Sequence, residues 1–148
     1  MAASLLTAGW AKTWKLDDSS LSLVVPEGFE EVSKVHRDSA LELFHPKRNV
    51  ELVVSSPLEE KVPLKTYLVA FPEMIKSKGG VVASSETLKF RKGQAALFLV
   101  RGLLPERVET VHVYIVPDKG SPHSLVVNTP AALSQETLIW VRALVKAL

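Results

Sequence analysis

The feature that most constrains the fold is an apolar run, QAALFLVRGLL, at residues 94–104. If this run is a strand, alternate residues point to opposite sides of a sheet. Both sets are then apolar, with Ala96, Phe98 and Val100 on one face and Ala95, Leu97, Leu99 and Leu103 on the other. Because a strand that is apolar on both faces must be covered on both, the run predicts a sheet with packing layers on its two sides.

This strand has two interpretations. In the first, helices or the amino-terminal strands cover both faces, and all of the apolar residues belong to the core. In the second, one face is the floor of an apolar groove in which a partner's helix or an apolar ligand docks. The candidate groove consists of Leu97 and Leu99, with Arg101, His112 and Tyr114 as its polar rim.

The other strand patterns predict antiparallel pairing. Short strands are predicted at residues 14–16, 21–25, 40–44 and 50–55, and longer ones at 81–90, 94–103, 108–116 and 124–129. The turns RKG and PDKGSP between the longer strands are short and contain glycine. Such connections join antiparallel neighbours, because a parallel pair needs a long crossover.

The sequence after Pro63 predicts an amphipathic helix. Apolar residues recur there at steps of three and four, namely Leu64, Tyr67, Leu68, Phe71 and Ile75. Pro63 suits the first turn, whereas Pro72 lies inside the helix and removes one backbone hydrogen bond. We therefore expect a kink or a break near residues 70–71.

A second helix is predicted at the carboxyl-terminal end. Its apolar stripe consists of Leu138, Val141, Val145 and Leu148, with Leu144 alongside. Ser134 is one candidate for its N-cap; alternatively, Thr129 caps the helix with Pro130 as the first helical residue. Together these elements predict an α+β domain, a single antiparallel, meandering β-sheet flanked by two main helices.

Residues 14–148 are interpreted as one domain, and residues 1–13 as a flexible tail or the remnant of a signal peptide. The first eleven residues, MAASLLTAGWA, carry no charged side chain, and Gly9 and Ala11 fit the small residues of a cleavage site. If residues 1–13 are the remnant of a signal peptide, the protein is predicted to be periplasmic or secreted. If they are only a flexible tail, a cytoplasmic location is the alternative. The chain has no cysteine, which is compatible with an oxidising compartment.

Composition and charge exclude several classes of function. With 47% hydrophobic and 23% charged residues, the chain is typical of a globular domain. The 18 basic and 16 acidic residues leave a net charge of +2, which is too balanced to favour nucleic acid or an anionic membrane as a partner. No segment in the predicted domain approaches the ~20 apolar residues of a membrane span.

No constellation of residues predicts catalysis, a metal site or a cofactor. The four histidines are His36, His45, His112 and His123. No two of them have the i, i+2 or i, i+4 spacing that places two imidazoles on one metal, so each is interpreted as structural or exposed. No nucleophile motif accompanies them, and the glycine pair of KSKGGVV leaves a helix, whereas a phosphate-binding loop enters one. We therefore predict a protein that is not an enzyme.

The order of these segments resembles the PsbP/DcrB-like family and its Ran-binding Mog-type relatives. The resemblance rests on VVPEGFEEV, whose Pro26 and Gly28 make a turn before Phe29, on the helix that follows, on KGQAALFLV, and on SLVVNTPAAL before the last helix. It spans about residues 14–148. It implies a PsbP-like α/β/α sandwich. The turn at Pro26 and Gly28 itself places Phe29 to plug the core end of the turn.

The resemblance also implies a role in binding or assembly without catalysis. Members include photosystem subunits, bacterial envelope proteins and Ran binders, and a similar group of chaperones shields the transmembrane helices of type VI secretion effectors. We therefore expect an exported or envelope-associated binding domain with a protein partner. The alternatives are a cytoplasmic chaperone of the type VI kind, a small apolar-ligand-binding protein, and a hydrolase whose site assembles from loop histidines.

Overall fold

The computed structural model describes residues 11–16, 21–33, 39–105 and 107–148. Within these residues the chain forms nine strands and two α-helices. The strands are β1 (Lys12–Lys15), β2 (Ser22–Val25), β3 (Glu30–Glu31), β4 (Ser39–His45), β5 (Val50–Ser55), β6 (Val81–Phe90), β7 (Gly93–Arg101), β8 (Val108–Pro117) and β9 (His123–Pro130). The helices are α1 (Leu64–Ser77) and α2 (Ser134–Lys146), and a 3₁₀ turn, Ala131–Leu133, leads into α2. The predicted signal remnant or tail lies almost entirely outside the described residues.

The described strands pair only in the antiparallel sense, and the predicted α+β class is confirmed. Seven of these strands form one sheet in the order β3-β4-β5-β9-β8-β7-β6. The order differs from the predicted simple meander, because the last strand, β9, lies between β5 and β8. The hairpin of β1 and β2 is also a separate two-stranded sheet, whereas the sequence pattern predicts one sheet that contains every strand.

One side of the large sheet, which we call the α2 face, is covered by α2 and by the β1–β2 hairpin. Leu97 and Leu99 of β7 belong to this core, together with Leu23 and Val25 of β2. The predicted stripe of α2 is buried in the same cluster, at Leu138, Val141, Leu144, Val145 and Leu148. The hydrophobic effect therefore holds three layers together on this side, namely sheet, hairpin and helix.

Polar contacts fix the position of α2 over the sheet. Arg142 donates two hydrogen bonds from Nε to the carboxylate of Glu86, at 2.9 and 3.0 Å. Near the other end of the helix, Arg48 forms an ion pair with Glu136. One contact reaches β6 and the other reaches the turn after β4, and these strands lie towards opposite edges of the sheet. The helix is therefore held across the width of one face.

The opposite side, the α1 face, is covered in part by α1. Phe71 and Ile75 of the helix are buried against Ala96, Phe98 and Val100 of β7. Of the predicted kink or break near residues 70–71, the break is wrong, since residues 64–77 form one continuous helix, and the kink stays a prediction. Phe71 before the proline and Ile75 one turn after Phe71 are buried in the core, which compensates for the one backbone hydrogen bond that proline cannot donate.

Both predicted N-caps of the last helix are wrong. Pro130 and Leu133 occupy the cap positions of the 3₁₀ turn and of α2, and neither makes a side-chain cap. The hydroxyl of Ser134 instead donates to Glu109 at 2.5 Å. The hydroxyls of Thr129 and Thr137 bond to each other at 2.9 Å. These side chains therefore join α2 to the sheet and do not satisfy its first amides.

The turn after β2 depends on a glycine. Gly28 has a φ of 105°, and a Cβ at this position would lie 2.3 Å from Nε2 of His45. Phe29 packs edge-on against the His45 ring at 5.2 Å and against Trp140 at 5.5 Å between ring centroids. The prediction that Phe29 plugs the core beside this turn is confirmed.

We predict that Gly28→Ala lowers the free energy of unfolding by about 3 kcal/mol, because the left-handed backbone and the clash with His45 both act against alanine. Gly120→Ala is the matched control. Gly120 has a φ of 102° but no neighbouring atom within 4 Å of an added Cβ. It should lose only the backbone contribution, about 1 kcal/mol. Urea unfolding monitored by tryptophan fluorescence measures the free energy of unfolding of both variants. Equal losses of this free energy in Gly28→Ala and Gly120→Ala would contradict the role given to His45.

Candidate protein-binding surface

The structure does not bring the predicted groove residues together. Leu97 and Leu99 are 1% and 2% exposed beneath α2, so they belong to the core and are not the floor of an open groove. His112 and Tyr114 lie on the α1 face, opposite Phe98 and Ala96 of β7. The expected combination of apolar floor and polar rim is wrong, because the two sets belong to opposite sides of the sheet.

Arg101 lies apart from both sets. It is the last residue of β7, and its side chain is exposed. Its Nε donates to Oε2 of Glu109 at 2.8 Å, which makes an ion pair at the surface. A contact of this kind contributes little to stability.

An aromatic cluster joins α1 to the sheet. Tyr67 stacks on Tyr114, with 3.8 Å between ring centroids and planes 2° apart. Phe71 stacks on His112 at 4.3 Å. The hydroxyl of Tyr67 bonds to Nε2 of His112 at 2.7 Å, and that of Tyr114 donates to the carbonyl of Val62 at 2.7 Å. These contacts hold the helix at β8 and leave the next strands of this face uncovered by it.

Burial determines the protonation of this cluster. Burial under the helix lowers the pKa of His112 to about 4, so the imidazole is neutral at neutral pH. Burial also raises the pKa of Tyr67, with a further contribution from Tyr114. A neutral histidine bonded to a neutral tyrosine stabilises the packing of α1 and is poorly placed for acid–base work.

Beyond β8, the α1 face is partly exposed on β9, β5 and β4. We call this region the open sheet face, and it consists of Phe44, Glu51, Val53, Val126 and Asn128, all half-buried. Val53 and Val126 are direct cross-strand neighbours, and His112 lies opposite Val126 on the other side. The region is therefore a strip of mixed apolar and polar side chains beside the aromatic cluster.

A cleft of about 410 Å³ lies at one end of the open sheet face. Its lining combines an aromatic ring, a carboxylate, two amides and a guanidinium, from Phe44, Glu51, Asn49, Asn128 and Arg107, with Val108 and Pro130. A volume of this order is typical of sites that hold a small molecule or a side chain.

Hydrogen bonds fix the carboxylate in the cleft. The hydroxyl of Thr110 donates to Oδ1 of Asn128 at 2.8 Å, and Nδ2 of Asn128 donates to Oε1 of Glu51 at 3.0 Å. The three residues belong to three adjacent strands, β8, β9 and β5. The orientation of Glu51 is thus set by the sheet before any ligand arrives.

Two residues in the cleft have left-handed backbones. Asn49 has a φ of 55° and Arg107 a φ of 70°, and no other non-glycine residue in the described part of the chain has a positive φ. Asparagine tolerates this conformation, whereas arginine adopts it at a cost. Unfavourable backbone conformations cluster at binding sites, so the backbone of Arg107 adds to the case for this cleft.

The described residues contain no group of three or more histidine, aspartate or glutamate side chains that could hold a metal. None of the helices in that part of the chain has the length and apolarity required to cross a membrane.

His36 lies outside the described residues. His45 and His123 are both buried, and Nδ1 of His123 bonds to the carbonyl of Ser55 at 2.9 Å.

Solved structures share this architecture. The Ran-binding protein Mog1p of Saccharomyces cerevisiae superposes with a TM-score of 0.60 at 13% identity, over 90% of this chain and 89% of that one. The PsbP protein of the cyanobacterium Synechocystis, CyanoP, gives 0.64 at 9% identity, over 90% and 88%. A Pseudomonas aeruginosa protein of unknown function gives 0.55 at 13% identity, over 95% and 97%.

These likenesses confirm the PsbP/Mog1 fold that the sequence resemblance implied. At such low identity they show the fold alone. No protein-family model matches the sequence, and no curated protein does either.

We predict that Leu97→Asp abolishes cooperative folding, because it buries an unpaired carboxylate in the core. Val69→Asp is the control, since Val69 is 71% exposed on α1. It should unfold at nearly the wild-type temperature. Circular dichroism during heating distinguishes the two, and a folded Leu97→Asp protein would revive the groove interpretation.

We also predict that stability falls in mild acid. Burial makes the pKa of His112 lower in the folded state than the ordinary histidine value of 6.5, so the unfolded chain binds the proton first. The contribution of neutral His112 to the free energy of unfolding is complete above the pKa of the histidine in the unfolded chain. It is lost as the pH falls from there towards the folded-state pKa of about 4. From pH 7 to pH 5 the loss should be about 2 kcal/mol. The pKa of buried His45 is also lowered, which adds in the same direction.

Urea unfolding at several pH values, with His112→Gln beside wild type, measures this effect. Glutamine can still bond to Tyr67 but does not titrate. The substitution should therefore reduce the pH dependence and leave the part due to His45. An unchanged pH dependence in His112→Gln would contradict the assignment.

Proposed function

We propose that this protein is a non-enzymatic protein-binding domain whose partner docks on the open sheet face. The observation that carries the proposal is the incomplete cover of the α1 face, where α1 packs mainly on β6 and β7. Val53 and Val126 remain half-buried beside polar Glu51 and Asn128. Such a mixture of apolar and polar side chains is typical of the surfaces that proteins use to bind one another.

Two further observations support a macromolecular partner. The strip is an open surface that extends over three strands, a shape suited to another protein more than to an enclosed apolar ligand. One protein with this fold, Mog1p, is described as Ran-binding. The fold is therefore compatible with a role in protein binding.

The finer form of the proposal is an exported or envelope-associated domain that acts in assembly. It is supported by the uncharged sequence of residues 1–11, which lies almost wholly outside the described part of the chain. A chaperone that holds transmembrane helices is supported less well, because the carboxylate of Glu51 on the open sheet face would be costly to bury against an apolar helix.

We predict that Val126→Arg abolishes partner capture while the domain stays folded. Val126 is half-buried in the middle of the open sheet face, so arginine there can reach solvent but blocks a docked partner. Ile139→Arg is the matched control, because Ile139 is 45% exposed on α2, on the other side of the sheet.

The measurement is affinity capture from the source cells, with mass spectrometry of the bound proteins and thermal unfolding of each variant. A protein retained by wild type and Ile139→Arg but lost with Val126→Arg supports the proposal. Capture that Val126→Arg leaves unchanged would place the interface elsewhere.

A further inference from the structure

A row of side chains on the α1 face places an aromatic ring between two carboxylates. Phe44 of β4 lies directly opposite Glu51 of β5 in the register, and opposite Glu30 of β3 on its other side. Direct cross-strand neighbours in an antiparallel sheet share a face, with their Cβ atoms ~5 Å apart. The order across three strands is therefore acid, aromatic, acid.

Neither carboxylate is neutralised by a cation of the described chain. Glu51 bonds to the amide of Asn128, which carries no charge. Glu30 is exposed and takes part in none of the three ion pairs of the described residues, which join Arg48–Glu136, Arg101–Glu109 and Arg142–Glu86. In the register, half-buried Phe44 thus has a carboxylate residue on either side, and neither of the two makes an ion pair with a described residue.

This arrangement matches the chemistry of a guanidinium group. A planar cation stacks on an aromatic face and at the same time donates hydrogen bonds in its plane to carboxylates. An ammonium group can approach the ring but lacks the planar fork that pairs with a carboxylate in a bidentate way. Asn128 and Thr110 hold Glu51 in place, which reduces the entropy lost on binding.

We infer that the cleft binds an arginine side chain of the protein partner, stacked on Phe44 and paired with Glu51. Glu30 does not line the cleft, but it lies opposite Phe44 in the register and adds a second negative charge beside it. This inference rests on the proposed function and names the partner's chemistry. Arg107 lines the same cleft and makes no ion pair with a described residue, so it is free to bind an acidic residue next to the partner's arginine. The partner segment is therefore expected to carry an exposed arginine with a neighbouring acid.

The probe is a capped tripeptide, alanine–arginine–alanine amide, titrated into ¹⁵N-labelled protein and followed by NMR. Saturable shifts should appear at the amides of Phe44, Glu51 and Asn128. The same tripeptide with citrulline, which has the shape of arginine without its charge, is the ligand control. It should bind about tenfold more weakly, the factor expected for loss of a charge-assisted interaction.

Three variants complete the test. Glu51→Gln keeps an oxygen acceptor for Asn128 but removes the charge, and should weaken arginine binding about tenfold. Phe44→Leu should weaken it through loss of the ring. Glu73→Gln, on the exposed side of α1, removes the same charge elsewhere and should leave the affinity unchanged.

Three outcomes would overturn the inference: absence of saturable shifts, equal binding of the arginine and citrulline peptides, or an affinity that Glu51→Gln does not alter. The proposed function is judged separately by Val126→Arg, because Val126 lies in the neighbouring row of the sheet and outside the cleft lining. Partner capture that depends on Val126 but not on Glu51 would retain the binding domain and reject the arginine.

Discussion

Burial of β7 on both faces is the constraint on which the rest of this structure depends. Leu97 and Leu99 pack towards α2, while Phe98 and Val100 pack towards α1. Each such side chain contributes roughly 1.5–3 kcal/mol when it is fully removed from water. Neither helix can be absent without exposing half of this strand, so the sheet requires a layer on each side.

The two layers cover the sheet unequally, and this difference creates the candidate site. On the α2 face, the hairpin of β1 and β2 and the helix together cover the strands from β4 to β6 in the order of the sheet. On the α1 face a single helix covers β6 and β7 and ends its cover at the stack of Tyr67, Phe71 and His112 over β8. The strands β9, β5 and β4 are left with a mixed, half-exposed surface. The candidate surface is left open here because α1 covers β6 and β7 and does not extend over the rest of the sheet.

The aromatic cluster at this border connects stability with the surface beside it. His112 bonds to Tyr67 and lies next to Val126 of the open sheet face. Its lowered pKa means that the contact is made by a neutral ring. A partner docked on Val126 would therefore meet an uncharged border, and the charged groups of the cleft, Glu51 and Arg107, lie at the other end of the strip.

Local periodicity in the sequence determined the elements of this protein. The alternation of VELVVS fixed β5 at residues 50–55, and the three- and four-residue spacing after Pro63 fixed α1, since both patterns depend on neighbours close in the chain. The apolar run of β7 also determined that two layers were needed.

Only the tertiary structure decided that β9 lies between β5 and β8, and thereby which residues meet across strands. Glu51, Asn128 and Thr110 are distant in sequence and form one chain of hydrogen bonds because long-range pairing sets their register. The prediction that Leu97 and His112 share one groove failed for the same reason, since the folded sheet puts them on opposite faces. Alternation along one strand shows which of its residues share a face. It does not show which residues of the next strand lie on that same face.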